Sequence, residues 1–417
     1  MTVPSAAVAD ERAVAQRHTL RVLTTSQTLG GVAVSSGIAV GGLLAADLAG
    51  SETYAGLAQT CSTIGGALLA VPVSRLMARS GRRLGLLAAY VLGGAGAATA
   101  VLAGASGSVV LILVAMLIFG GGQTANLQAR YAAMDLATPT TRSRSLAVVV
   151  WATTVGAVLG PNLADPGGRL ATAIGLRPLA GSFLFSVCSF ALAAAVIGIR
   201  LRPDPLLTAR RLAVDTAAPP RASLRQSLRT IAEVPDARLG LLAVASAHAV
   251  MVGVMVMTPV HMGHNGATLR IIGLVISVHI LGMYAFSPVV GALADRYGRH
   301  RTLLAGALLQ VASTVVAGMA GHRAVPLGVG LFVLGLGWSF GLVAGSTLLS
   351  ESVPAPTRPG VQGASDLVMG VAASAGGLAA GVVVDRFGYA VLNAAAAVVL
   401  LPVLVALTRH LVRRPAV

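Results

Sequence analysis

The sequence predicts an all-α integral membrane protein, with twelve transmembrane helices in two pseudo-symmetric six-helix bundles. Three observations predict it. The 417 residues are 55% hydrophobic and only 11% charged, with a mean hydropathy of +0.82, whereas a soluble domain carries about 25% charged residues. Apolar runs long enough to cross about 30 Å of hydrocarbon, which takes about 20 residues, recur about twelve times. Two short motifs also repeat at an offset close to half the chain.

In chain order the runs fall at 22–46, 53–76, 83–104, 108–133, 145–164, 178–199, 239–262, 270–293, 302–321, 325–350, 360–384 and 389–408. The polar start, MTVPSAAVADERAVAQRHTLR, has no apolar core ahead of a cleavage site. No signal peptide is therefore expected, and the first span serves as its own insertion signal. Orientation follows from arginine, because loops that stay in the cytoplasm collect it. With the N-terminus inside, 25 arginines fall on one side and 5 (Arg169, Arg177, Arg270, Arg323 and Arg386) on the other. Both termini are expected in the cytoplasm, at the cytoplasmic (inner) membrane.

The longest polar stretch, 201–238, is basic and contains proline. It reads as a cytoplasmic linker between an N-terminal bundle (1–200) and a C-terminal bundle (239–417). The two halves echo each other. RLMARSGRRLG (Arg75–Gly85) follows the second span and GALADRYGRHR (Gly291–Arg301) follows the eighth, which sets Gly81 and Gly298 217 residues apart. DLATPTTR (Asp135–Arg142) after the fourth span pairs with ESVPAPTR (Glu351–Arg358) after the tenth. Duplicated six-helix units are the architecture of a transporter whose site lies at the repeat interface.

Composition excludes other classes. All 30 basic residues are arginine, so neither a P-loop ATPase nor a lysine Schiff-base enzyme fits. The net charge of +16 is spread between apolar segments and not gathered on one soluble face, which argues against nucleic acid as a partner. Cys61 and Cys188 sit in apolar runs without a CxxC, so they read as buried small hydrophobes, and no thiolate zinc site or other cofactor is expected. Histidines and acids form no catalytic spacing, so an enzyme is not expected. A sensor or scaffold would need an output domain longer than any polar stretch present.

Gly291-Ala-Leu-Ala-Asp295-Arg296-Tyr-Gly298-Arg299-His300-Arg301 is similar to the loop signature of the major facilitator superfamily, G-x-L-A-D-R-x-G-R-R. The first-half copy keeps Arg79, Gly81, Arg82 and Arg83 but has Ser74 for the glycine and Ala78 for the aspartate. The resemblance implies a secondary transporter of the major facilitator fold, in which the loop aspartate, here Asp295, helps latch the halves on the cytoplasmic side. Glycine permits the tight turn, and the arginines can pair with acids at neighbouring helix ends, for which Asp135 and Glu351 are placed. In the fifth span, Gly156-Ala-Val-Leu-Gly160-Pro161 resembles part of the family's antiporter motif. There small residues allow close helix contact and proline bends the helix.

Substrate residues are sought where composition is uneven. Four of the eight histidines (His248, His261, His264, His279) and five of the eleven methionines (Met251, Met255, Met257, Met262, Met283) lie between His248 and Met283. Met251-x3-Met255 falls in the seventh span and His279-x3-Met283 in the eighth, each pair on one helix face one turn apart. His248 extends the first face, and His261, Met262 and His264 lie at the outer end, where an incoming ion would first arrive. Thioethers select Cu(I) and imidazole also suits copper, so Met251, Met255, His279 and Met283 are the candidate metal ligands. Methionine packing is the bland alternative.

The two pairs are similar to the seventh-helix MxxxM and eighth-helix HxxxM of the CcoA-like copper importers, which supply cytochrome oxidase biogenesis. That resemblance implies copper import, with Met255 and His279 coordinating the ion, Met251 and Met283 passing it along, and a copper-handling partner receiving it. Gln27, Gln59, Gln123, Asn126, Gln128 and Asp366 are further membrane polar residues that point to a cavity. Asp366 has no evident local base and is the candidate proton carrier. The expected protein is thus a lipid-embedded monomer working by alternating access, with copper or another small molecule as substrate. The rival expectation is proton-coupled efflux of small organic compounds or drugs.

Overall fold

The computed structural model describes residues 6–51, 53–212 and 223–413. Two compact units divide the chain. Each takes most of one sequence half together with a short segment of the other, Gln362–Leu367 joining the first unit and Pro139–Ala147 the second.

The first unit is built from α1 (Ala6–Ala49), α2 (Thr53–Ser80), α3 (Arg82–Ser106), α4 (Val109–Ala132), most of α5 (Arg142–Asn162), α6 (Ala164–Ala173), α7 (Gly181–Arg200) and α8 (Pro205–Leu212). Its core is aromatic at the centre and small at the helix contacts. Phe119 meets Phe183 and Phe190 edge-on, with centroids 5.9 and 5.5 Å apart. Gly93 lies against the Gly122 backbone, so closely that a β-carbon there would stand 2.8 Å from the Gly122 nitrogen. Small residues of this kind let membrane helices approach until their backbones touch.

The second unit contains α9 (Leu224–Glu233), α10 (Pro235–His264), α11 (Leu269–Tyr284), α12 (Ser287–Tyr297), α13 (Arg299–Met319), α14 (Ala324–Glu351), most of α15 (Arg358–Phe387) and α16 (Tyr389–Arg413). Helix α14 is central to it, packing against α10, α11 and α13. On its outer faces residues such as Leu274, Met319 and Leu378 stay exposed, as lipid-facing side chains do.

Among the described residues twelve helices are long and apolar enough to cross a membrane, in the predicted order. The differences have local causes. Helix α1 starts at Ala6, well before the predicted 22–46, because its polar first turns are held by bonds from Arg12 to the Leu136 and Ala137 carbonyls and from Gln16 to that of Ala133. An apolar-run criterion sees only the part that crosses hydrocarbon. The eighth span is broken at Ala285–Phe286, and α12 restarts with Pro288 in its first turn, where proline needs no donor. The predicted linker 201–238 carries α8 and α9 in its described part, while residues 213–222 lie outside the described residues. Cys188 is exposed, which corrects the expectation that both cysteines are buried; Cys61 is half-buried.

Candidate functional site

The predicted loop residues form two related clamps, one in each unit. In the first, Gly81 turns the chain at φ +87° and delivers Arg82 to the start of α3. A positive φ of this size favours glycine. The fully buried Arg82 donates from Nε and Nη2 to the Asp135 carboxylate at 2.8 and 3.1 Å, and from Nη2 to the Gln362 side-chain oxygen at 2.7 Å. The Arg83 backbone N–H donates to Asp204 at 2.7 Å. Arg79 is exposed, and Ser74 presses its hydroxyl against Gly363, which has no room for a β-carbon.

In the second unit Gly298, at φ +90°, delivers Arg299 to the start of α13. Arg299 grips Glu351 from Nε at 3.1 Å and Nη2 at 3.0 Å, and it also reaches Asp295 at 3.1 Å and the Pro139 carbonyl at 2.7 Å. Arg142 adds a longer bond to Glu351 at 3.4 Å. Asp295 accepts the backbone N–H groups of Ser143 and Arg144 at 3.1 and 2.9 Å. Those belong to the first turn of α5, whose donors lack helical partners and whose end carries positive dipole charge, so a carboxylate satisfies both. Gly291 lies tight against Ser143 and Ala147, where a β-carbon would stand 2.7 Å from each. Arg296 is exposed and lies over the Tyr297 ring.

The candidate proton carrier has a partner the sequence reading missed. Asp366 receives a 2.6 Å bond from Arg130 Nη2 and a 2.7 Å bond from Gln128 Nε2, and each charged side chain is only 1% exposed. Arg130 also donates to the Leu127 carbonyl and the Tyr131 hydroxyl. Reading Arg130 with the cytoplasmic-edge arginines hid this pairing. The available signal was that Arg130 lies inside the predicted fourth span and that Asp366 is the single acid in any predicted span. Taking both charges out of water costs several kcal/mol per ion, which only close pairing and further hydrogen bonds offset.

Three of the histidine and methionine residues, His248, His279 and Met283, are set against α14. His248 Nδ1 accepts the Trp338 indole N–H at 2.7 Å, and Trp338 meets Tyr284 edge-on at 5.6 Å. His279 is fully buried, with Nδ1 2.7 Å from the Leu331 carbonyl. A carbonyl only accepts, so Nδ1 carries the proton and Nε2 is left as an acceptor, buried and without a hydrogen-bond partner among the described residues. His279 and Met283 lie over Gly335, where a β-carbon would collide with the His279 carbonyl. Met251 and Met283 are buried and Met255 is half-buried. At the outer end His261 stacks on Tyr389, Met262 is buried, and His264 is exposed.

Of the remaining membrane polar residues, Gln27, Gln123 and Asn126 are hydrogen-bonded inside the first unit. Gln27 donates to Thr153, Gln123 to Ser62 and Tyr90 to Asn126, at 3.0, 2.6 and 3.2 Å. Gln59 is exposed. Ser35 donates to the Gly156 carbonyl at 2.6 Å, and Gly156 abuts the Gly31 backbone, so the Gly156–Pro161 segment does make a close helix contact with α1.

Comparison with known proteins agrees with this architecture. A family model described as Major Facilitator Superfamily matches residues 23–266 and 239–417. The chain is 37% identical to the uncharacterized MFS-type transporter YddS of Bacillus subtilis, over 93% of this chain and 90% of that one. It is 28% identical to the riboflavin transporter RfnT of Brucella anthropi, over 91% of this chain and 92% of the other. Among solved structures, the human organic anion transporter MFSD10 (TETRAN) matches with a TM-score of 0.75 at 19% identity, covering 94% of this chain and 99% of its own.

Proposed function

The chain belongs to the Major Facilitator Superfamily and is a secondary transporter; from that premise we propose that it exports a small organic compound by alternating access, coupled to protons through Asp366. The observation that carries this reading is the dry Asp366–Arg130 pair. A proton arriving on Asp366 cancels its charge and frees Arg130, and losing the proton restores the pair. A coupling group needs such a protonation-dependent change of partner. The close α1–α5 contact at Gly156, in the segment that resembles the family's antiporter motif, supports export, while the similarity to RfnT supports an organic substrate, with riboflavin the first compound to try.

The test is transport in proteoliposomes under an imposed pH gradient, with riboflavin and a panel of organic ions. The wild type should couple substrate flux to proton flux. Asp366→Asn should retain exchange of bound substrate and lose accumulation driven by the gradient. Transport by Asp366→Asn that follows pH as the wild type does would remove Asp366 as the carrier.

A second reading, copper import across the cytoplasmic membrane, rests on His279. Its Nε2 lone pair is buried and unpaired among the described residues while Nδ1–H is anchored on a carbonyl, the arrangement by which a backbone oxygen orients a metal-binding imidazole. Met283, one turn away, would add the soft donor, with Met251 and Met255 on α10 completing the path. Time-resolved copper uptake in a host lacking its own importer should then be lost in both Met255→Ala and His279→Ala at matched expression. Uptake no greater than that of the empty vector would end this reading.

A further inference from the structure

A second group of metal-capable side chains lies at the ends of three spanning helices of the second unit. Asp236 is in the first turn of α10, His300 is the second residue of α13, and His410 is near the end of α16. His300 Nε2 is 3.1 Å from an Asp236 carboxylate oxygen. The His300 and His410 rings stack with centroids 3.9 Å apart and planes within 5°. One ligand atom from each of the three residues lies within 4.8 Å of the others, and all three are half-buried. We infer that Asp236, His300 and His410 form a binding site for a divalent first-row metal ion of the zinc class, separate from the substrate path.

The donor set fits the ion. Two neutral imidazoles and one carboxylate are three zinc ligands, and a water completes the tetrahedron. Zinc–nitrogen and zinc–oxygen bonds of about 2.0–2.2 Å require the three atoms to draw together by roughly an ångström from their present spacing. The two rings must also turn out of their parallel stack so that both in-plane lone pairs point at one ion, a side-chain rotation that binding would have to drive. An open pocket of about 400 Å³, lined by residues including His300, Arg299 and Glu351, gives an ion a route in. Two of the helix ends are N-terminal and disfavour a cation, and the Asp236 charge offsets them.

The internal repeat makes the residue at 300 informative. The 217-residue offset carries Arg83 onto His300, so one copy has a permanent cation where the other has an imidazole able to coordinate. The same offset carries Thr19 onto Asp236 and Ala193 onto His410, so the first copy lacks all three ligands. A metal bound here ties α10, α13 and α16 at one end, bracing the second unit whatever the substrate.

The experiment uses the full chain in detergent, stripped with chelator and titrated with zinc alone by calorimetry. Wild-type protein should bind one zinc per chain. His300→Arg, which restores the residue type of the first copy, and His410→Ala and Asp236→Asn should each weaken binding by more than about tenfold, since even an outer-shell partner is worth that much. His322→Ala, an exposed histidine with no part in either site, should bind as the wild type does. Should a variant fail to fold, X-ray absorption on zinc-loaded wild type decides. Nitrogen and oxygen neighbours at about 2.0–2.1 Å with imidazole scattering support the site. Absence of zinc binding, equal binding by the three variants, or a sulfur neighbour would overturn it.

Discussion

The two repeats end in the same arginine–carboxylate clamp, built dry in one copy and wet in the other. Arg82 is 0% exposed and Asp135 6%, whereas at the corresponding position Arg299 is 12% exposed and Glu351 22%. The dry clamp is completed by a neutral amide, Gln362, and the wet one by further charges, Asp295 and Arg142. A buried donor left unmet costs about 1–3 kcal/mol, so the dry clamp has to be finished with protein atoms, while water can finish the wet one. The loop carboxylates differ too. Asp295 caps α5, but its counterpart is Ala78, and the first copy instead uses Asp204, which accepts from Arg83 and from the first turn of α8.

The comparison can be broken by substitution, and the largest effect lies outside both clamps. Arg130→Leu leaves Asp366 buried without its cation, and stability in detergent melts should fall by about 3–5 kcal/mol, the cost of breaking a buried pair. A loss no larger than that from Arg299→Ala would show that water reaches Asp366. Within the clamps, Arg82→Ala should cost about 3 kcal/mol and Arg299→Ala about 1 kcal/mol, because exposure discounts the second. Equal losses would mean that dryness does not separate the copies.

The turn glycines sharpen the contrast with a smaller effect. Gly298→Ala meets open space and suffers only the positive φ, about 1 kcal/mol. Gly81→Ala meets the same φ and, in addition, the Asp204 carboxylate, 2.5 Å from the new β-carbon. It should therefore melt lower than Gly298→Ala, and a reversed order would remove Asp204 from the first clamp.

These contrasts also show what the sequence could carry. Twelve apolar runs and two glycine–arginine loops were legible because hydrophobic length and turn chemistry are local. The break at Ala285–Phe286 was half-visible, since Pro288 marks it, but the surrounding run is apolar throughout. Helix α6 was hidden, because Asp165-Pro166-Gly167-Gly168 reads as a turn and becomes helical only against α7. The Arg130–Asp366 pair joins residues 236 apart, and no spacing rule reaches that far. Burial of His279 was expected from its place in a span, but not its bond to Leu331, because that depends on how α11 seats against α14.

Helix α1, with its 44 residues, spans roughly 66 Å at 1.5 Å per residue, about twice the hydrocarbon thickness. Its polar end is fastened to the chain after α4 by Arg12 and Gln16 and to α8 through Glu11 and Arg211, while farther along it touches α5 at Gly31. Such a rod behaves as a lever. Pivoting on the α5 contact at Gly31, a tilt of about 5° moves the Arg12 end, roughly 28 Å away, by roughly 2.5 Å, so a rearrangement beside α5 would reach the Arg12 end as a displacement that a single spectroscopic label can follow.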